Sequence, residues 1–145
     1  MTKINKQAQV SYSAKQMYIL VNQIESYPEF LPWCTETKII TSNDDSMTAS
    51  VSIAVGKIKQ TFTTANTMKT DTSIIMRLIE GPFKKLYGHW QFKEDENGGC
   101  LVMLEMQFEF KNKLVKHALG AAFKKITNSL VDAFIERARE VYGPA

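Results

Sequence analysis

Apolar and polar residues alternate along the chain with two different periods, and the longest regular stretch lies near the carboxyl end. Between residues 112 and 142, one apolar set recurs every three or four positions: Val115, Leu119, Phe123, Ile126, Leu130, Phe134, Ala138 and Val141. This spacing places them on one face of an α-helix. Asn112 is a favourable N-cap, and Gly143-Pro144 is a common helix stop. The pattern predicts one helix of roughly 30 residues, about 45 Å long, whose apolar face must be covered.

The middle of the chain has the two-residue period of β-strands. From residue 36 onwards apolar and polar side chains alternate, most clearly in the run Val102, Leu104, Met106, Phe108 and Phe110. Turn signals separate about six such strands at residues 42–46, 56–57, 71, 81–82 and 97–99. Because the connections are short, the strands are expected to form an antiparallel sheet.

The amino-terminal part predicts a strand over residues 3–10 and two short helices. Ser13 and Gln16 match a capping box, and so do Ser26 and Glu29, the second with a proline in the first turn. The whole order predicts an α+β fold in one domain, residues 1–145. A curved antiparallel sheet of six or seven strands would wrap around the long carboxyl-terminal helix, because that helix is the element long enough to cover it.

Composition and charge are ordinary for a globular protein. The chain has 145 residues, 44% hydrophobic and 23% charged, and a net charge of +3, which does not by itself indicate a nucleic-acid-binding protein. No apolar run reaches the roughly 18–20 residues of a membrane span. Residues 1–6 lack the apolar core of a signal peptide, and the two cysteines, Cys34 and Cys100, are typical of free thiols in a reducing compartment. We therefore expect a cytoplasmic protein.

Sequence signatures of catalysis and metal binding are absent. His89 and His117 lie apart, and Cys34 and Cys100 form no CxxC motif. There is no glycine-rich phosphate loop and no serine in a nucleophile-elbow motif. We expect a non-enzymatic protein with no catalytic residues and no metal site.

One predicted strand carries polar residues on the same side as an aromatic one. Gln60, Thr64 and Asn66 share the parity of Phe62. A polar group in a dry core costs roughly 1–3 kcal/mol unless it finds a partner. Either this strand is irregular and its polar side chains meet water, or the long helix stands away from the sheet and leaves a cavity.

In the second interpretation the polar residues Gln60, Thr64 and Asn66 share the cavity with large apolar side chains. Each of these side chains is also compatible with simple core packing. The apolar candidates are Phe30, Trp33, Phe62, Met76, Phe83, Trp90, Met106, Phe108, Phe123 and Phe134.

Lysines cluster in two stretches that the fold can bring together. Residues 111–125 contain no acidic residue, so the lysines there have no acidic neighbour along the chain. Such a cluster can bind phosphates, on lipid headgroups or on RNA, or it can be a solvated helix face. The candidates are Lys84, Lys85, Lys111, Lys113, Lys116, Lys124 and Lys125.

Three stretches together carry a family resemblance: YPEFLPWC at residues 27–34, GPFKKL at 81–86 and FEFKNKL at 108–114. With the terminal RAREVY at 137–142, the chain resembles the RatA group of START-like proteins over essentially its whole length. These are bacterial relatives of the mitochondrial coenzyme Q-binding proteins. The resemblance implies a helix-grip START-like fold around a lipid-sized cavity.

The resemblance implies two functions. One is non-enzymatic binding of ubiquinone or a similar polyprenyl quinone, in support of respiration. The other is that of a toxin that binds the large (50S) ribosomal subunit and blocks its association with the small subunit, which inhibits translation initiation. Trp33-Cys34 resembles the quinone-binding branch, whereas residues 81–86 resemble the toxin branch.

Cavity energetics favour the quinone. An empty cavity costs roughly 24 cal/mol per Å³, so about 500 Å³ would cost about 12 kcal/mol and must hold ligand or water. Gln60, Asn66 or the indole of Trp90 can donate hydrogen bonds to quinone carbonyls. We expect a monomer whose bound ligand is a quinone, with no other cofactor, and which approaches an anionic inner membrane peripherally through its lysines. The large ribosomal subunit is the alternative partner.

Overall fold

A computed structural model of the chain describes residues 1–144. The strands are β1 (Thr2–Val10), β2 (Cys34–Ser42), β3 (Ser46–Val55), β4 (Ile58–Lys69), β5 (Ser73–Glu80), β6 (Phe83–Glu94) and β7 (Cys100–Phe110). The helices are α1 (Ala14–Asn22), α2 (Tyr27–Phe30) and α3 (Lys113–Tyr142), and a 3₁₀ turn at Ile24–Ser26 leads into α2. The predicted α+β order is confirmed. Ala145, the last residue of the predicted domain, lies outside the described residues.

The seven strands form one curved antiparallel sheet in the order β1-β7-β6-β5-β4-β3-β2. Strands β2 to β7 are neighbours in sequence as well as in space, because tight turns connect them. Strand β1 instead pairs with β7, from Thr2 opposite Phe108 to Val10 opposite Cys100. The edges of the sheet are therefore β1 and β2. The segment that contains α1 and α2 crosses from one edge to the other, and α3 packs against α1, β1 and β7.

Three of the predicted helix ends can be checked against the backbone. The Ser13–Gln16 capping box is present, with 3.1 Å and 2.9 Å hydrogen bonds, and Asn112 caps α3 through a 2.9 Å bond from the Val115 N–H. The capping box predicted at Ser26 is wrong. The 3₁₀ turn runs directly into α2, which gives Ser26 helical angles (φ −88°, ψ −9°) and leaves its side chain without a capping bond.

The core lies between the inner face of the sheet and α3. All five alternating apolar residues predicted on β7 are buried. Most of the predicted apolar face of α3 is buried or half-buried, but Val141 is 49% exposed. The last turn is held by Tyr142 instead, which follows Phe134 and Ala138 at four-residue intervals. Its ring packs on Tyr12, with centroids 6.0 Å apart.

None of the helices within residues 1–144 combines the length and the apolar character needed to cross a membrane.

Candidate functional site

A small cavity lies between α3 and the inner face of the sheet. Its volume is about 90 Å³, and its lining comes from α3, from strands β3 to β7 and from the Ile24–Trp33 region. Nine of the thirteen predicted cavity residues line it: Trp33, Phe62, Thr64, Asn66, Met76, Trp90, Met106, Phe123 and Phe134. The structure therefore brings together residues from four strands, from α3 and from the turn before β2.

Four predicted cavity residues lie elsewhere. Phe83 and Phe108 form a second layer behind the cavity wall, each with its ring centroid 4.9 Å from that of Phe123. Phe30 packs against Phe134, with ring centroids 5.4 Å apart, and the Arg137 guanidinium lies 4.8 Å above its ring. Gln60 is half-buried near the β3–β4 turn, opposite Ile53.

Several lining residues were not predicted. Some of them have small side chains, which do not identify a residue as part of a cavity wall. The unpredicted ones are Ile24, Tyr27, Ala49, Val51, Leu86, Gly88, Ile126, Thr127 and Leu130. Gly88 lies between Met76 and Met106 in the sheet register, and a Cβ there would come within 2.3 Å of Met76 Cε. The glycine gives the two methionine side chains their space. Gly88 lies two residues before Trp90 on β6, so the alternation of that strand already placed both residues on the same face.

Polar groups in the cavity are few. The Thr64 hydroxyl donates a 2.7 Å hydrogen bond to Asn66 Oδ1, and both residues are buried. The Thr127 hydroxyl is used within α3, where it donates to the Lys124 carbonyl at 3.0 Å. Within residues 1–144, Asn66 Nδ2 donates no side-chain hydrogen bond. This amide is the polar group best placed to donate to a ligand.

The cavity is smaller than the roughly 500 Å³ considered from the sequence. At about 90 Å³ it is below even the roughly 150 Å³ of a cavity that accepts benzene. Aromatic packing explains the small volume, because Phe123 fills the space between α3 and the sheet. Tyr27, Trp33, Val51, Phe62 and Leu130 line the cavity but are only half-buried, so the cavity approaches solvent on their side.

Two titratable groups lie beside the cavity. The Tyr27 hydroxyl donates a hydrogen bond to the Val21 carbonyl, and burial, with a smaller contribution from Cys34, raises the pKa of Tyr27. Burial also raises the pKa of Cys34 to about 11. Both groups are therefore neutral at physiological pH. Within residues 1–144, no three His, Cys, Asp or Glu side chains are arranged to hold a metal ion.

Four of the seven predicted basic residues meet at one surface. Lys84, Lys111, Lys113 and Lys116 line a depression of about 400 Å³ where β6 and β7 meet the amino-terminal end of α3; we call these four residues the basic surface. Lys85, Lys124 and Lys125 are exposed but do not line this depression.

The basic surface is poor in compensating charge. Glu109 is the acidic residue in its lining, and no acidic residue occurs between Lys111 and Val131. None of the four lysines forms an ion pair with another described residue. Lys113 and Lys116 also lie in the first turn of α3, where the helix dipole favours negative charge. The positive field at this end is therefore stronger than the net charge suggests.

A curved antiparallel sheet that grips one long helix, with an apolar cavity between them, defines a START-like helix-grip protein. Residues 10–135 match the family described as "Polyketide cyclase / dehydrase and lipid transport". Because that match covers most of the chain, the chain belongs to this family, and the predicted family resemblance is confirmed. A "Ribosome association toxin RatA" from Escherichia coli (strain K12) is 46% identical over 142 residues, 98% of this chain and 90% of the relative.

More distant relatives and solved structures agree with the fold. The mitochondrial "Coenzyme Q-binding protein COQ10" of Drosophila melanogaster is 24% identical, over 96% of this chain and 59% of its own length. The solution structure of the 18 kDa protein CC1736 from Caulobacter crescentus has a TM-score of 0.77 at 26% identity, over 99% and 100% of the two chains. The Zhui aromatase/cyclase from Streptomyces superposes with a TM-score of 0.83 over 99% of both chains, at 13% identity.

Proposed function

We propose that the protein is a non-enzymatic binding protein whose partner is the ribosome, bound through the basic surface at the amino-terminal end of α3. The observation that carries the proposal is that Lys84, Lys111, Lys113 and Lys116 meet there without ion-pair partners among the described residues. The name of the Escherichia coli relative supports ribosome association, and the large subunit and a block of subunit joining are the specific expectation. A cytoplasmic location follows from this partner.

The physical argument concerns what unpaired lysines do. Each lysine in the first turn of α3 opposes the helix dipole, at a cost of roughly 0.3–1 kcal/mol. Four lysines at one depression also repel one another. A phosphate backbone offsets both penalties, because its negative charges lie next to the lysines and to the positive end of the helix. Each lysine that contacts a phosphate also releases a condensed counterion. An arrangement that is unfavourable in the free protein thus favours a polyphosphate partner.

The test is cosedimentation with purified large ribosomal subunits over a range of salt concentrations. The quadruple variant K84Q/K111Q/K113Q/K116Q should bind far more weakly, and the slope of log K against log salt should fall by about one per lysine. The control variant K15Q/K38Q/K57Q/K59Q has the same net charge and changes exposed lysines elsewhere. Equal binding by the two variants would contradict the proposed surface.

A second candidate function rests on the cavity. Asn66 is 3% exposed among apolar side chains, and its Nδ2 group has no side-chain acceptor within the described residues. We propose that this amide donates to the carbonyl of a hydrophobic ligand, of which ubiquinone or a similar polyprenyl quinone is the candidate, as the name of the Drosophila relative suggests. The quinone would be the bound ligand, with no other cofactor.

The small volume sets a condition on this second function. A quinone ring enters only if Met76, Met106 and Trp33 move, and the polyprenyl tail must leave between the half-exposed residues that line the cavity. Methionine side chains adapt readily, because they are unbranched and polarizable. The lysines could then hold the monomer peripherally at an anionic membrane while the tail is transferred.

Titration with a short-chain ubiquinone tests the second function. The variant T64V/N66L removes both partners of a buried hydrogen bond, so it should fold normally and lose quinone affinity by about tenfold. Thr67 on the outer face of β4 offers the control T67V. No measurable quinone affinity in the wild type, or equal affinity in T64V/N66L, would contradict this function.

A further inference from the structure

Leu114 is the most exposed large apolar residue within residues 1–144, at 79%. It is the second residue of α3 and follows Lys113 of the basic surface. The exposed Ala118 lies about one helical turn further along. Because the Leu114 side chain is nearly as exposed as in the unfolded chain, it contributes almost nothing to folding stability. Burial of this side chain can release free energy only when a partner covers it.

The outward face of α3 beyond Leu114 carries small residues, and the exposed His117 lies along one side of them. Ala118 and Ala121 follow Leu114 on the solvent side at intervals of four and three residues, and both are exposed. Lys113 and Lys124 lie along one side of this strip, and Lys125 follows it. A partner surface can therefore approach the helix backbone closely here, while lysines beside it reach outward.

We infer that Leu114, Ala118 and Ala121 form an apolar contact with RNA at the edge of the ribosome-binding surface, beside the phosphate-binding lysines. This inference rests on the function proposed above and names what the surface recognises. An A-form RNA helix presents a wide, shallow minor groove with sugar and base edges, bordered by phosphates. A low apolar strip about 10 Å long fits such a groove, and the complementary charge comes from the lysines.

The two parts of this surface make different contributions to binding. Lysine–phosphate contacts release counterions, so their contribution weakens as salt rises. Burial of Leu114 involves no counterion, so its contribution is independent of salt. Leu114 thus supplies the part of the affinity that survives at high salt, and a change at this residue leaves the salt slope unaltered.

The experiment measures the affinity of the full chain for purified large ribosomal subunits at several salt concentrations. L114A should reduce the affinity by about tenfold at every salt concentration, because it removes most of the apolar side chain that the partner covers, without changing the slope. The matched control is V141A, an exposed apolar residue on the same helix, about 40 Å away. It should bind as the wild type does. Alanine is the best helix former, so L114A keeps α3 intact.

Three outcomes would overturn the inference. L114A could bind as tightly as the wild type, or its defect could disappear at high salt. L114A could also lose binding to vesicles of anionic phospholipid while keeping ribosome affinity, which would make the strip a membrane contact. If the wild type itself failed to bind the subunits, the proposed function would fall as well, so the two failures are distinguishable.

Discussion

Cys34 and Cys100 are far apart in the sequence, but both thiols are held in the neutral form. Burial raises the pKa of each from 9.0 to about 11, and for Cys100 the nearby Asp95 and Glu94 add to the effect. Since the thiolate is the reactive species, neither cysteine is a nucleophile at physiological pH. At the residue scale, these cysteines belong to the core.

The thiols predict a pH dependence of stability. A group whose pKa is higher in the folded state binds its proton more tightly there, so its stabilising contribution is complete below the unfolded pKa. It is lost as the pH rises from about 9 to about 11. The thiols should therefore leave the midpoint of urea unfolding almost unchanged up to pH 9. Above pH 9 they should lower it. This decrease, measured for each variant relative to its own midpoint at pH 7, should be smaller in C34A and in C100A. A decrease equal to that of the wild type would contradict the raised pKa of the thiols.

The first third of α3 is lightly anchored. Between Lys113 and Ala122 one described side chain, Leu119, is buried, whereas Phe123, Ile126, Val131, Phe134 and Ala138 anchor the rest of the helix. This first third also carries Lys113 and Lys116 at the positive end of the dipole. The element is therefore less stable locally than its sequence length suggests, and its charge favours binding over stability.

The dipole argument predicts an inverse relation between stability and binding. The variant K113E/K116E should raise the free energy of unfolding by about 0.5–1 kcal/mol per substitution and abolish binding to large ribosomal subunits. Lys15, exposed in the first turn of α1, provides the matched control. K15E should be stabilised in the same way and bind normally. Denaturant titration and cosedimentation measure the two effects, and a destabilised K113E/K116E would refute the argument.

Gly120 offers a simpler test on the same helix. A glycine inside a helix can serve a bend or the close approach of another element. A Cβ at position 120 would meet Lys116 Cγ at 3.6 Å and Phe110 Cε2 at 3.8 Å, which are ordinary contacts. G120A should therefore raise the free energy of unfolding by about 1 kcal/mol. A lower melting temperature would indicate that the helix needs the glycine.

At the scale of the whole molecule, the cavity and the basic surface are neighbours but distinct. Phe123 lines the cavity, and its ring centroid is 6.0 Å from that of Phe110, which lines the depression of the basic surface. One layer of aromatic side chains thus separates the two candidate sites. Substitutions can address either site alone.

Filling the cavity separates the two proposed functions. Ala49 is 2% exposed on β3 and lines the cavity. A49V adds two methyl groups that extend into the cavity and improves β-propensity, so it should stabilise the protein by about 1 kcal/mol. It should also weaken any quinone binding and leave cosedimentation with ribosomal subunits unchanged. Equal loss of quinone binding and of ribosome binding would mean that the basic surface needs an unaltered cavity to bind the ribosome.

Local patterns in the sequence were sufficient for the fold. The three- to four-residue spacing from Leu119 to Ala138 and the alternation from Val102 to Phe110 follow from backbone geometry, which repeats the same way in every chain. Short turns then make the sheet antiparallel. The Ser26 cap failed because the conformation of one residue depends on the turn before it.

The tertiary structure decided which residues share a site and how much space they leave. Ala49, Gly88 and Thr127 line the cavity because strands and helix bring them there. Periodicity gives the face on which such a residue lies, but not whether a cavity borders it. Lys84 joins Lys111, Lys113 and Lys116 because β6 pairs with β7, whereas Lys85, one residue further, does not line the depression. Periodicity determines which way a side chain faces, but volume and proximity depend on packing between elements that are distant in the chain.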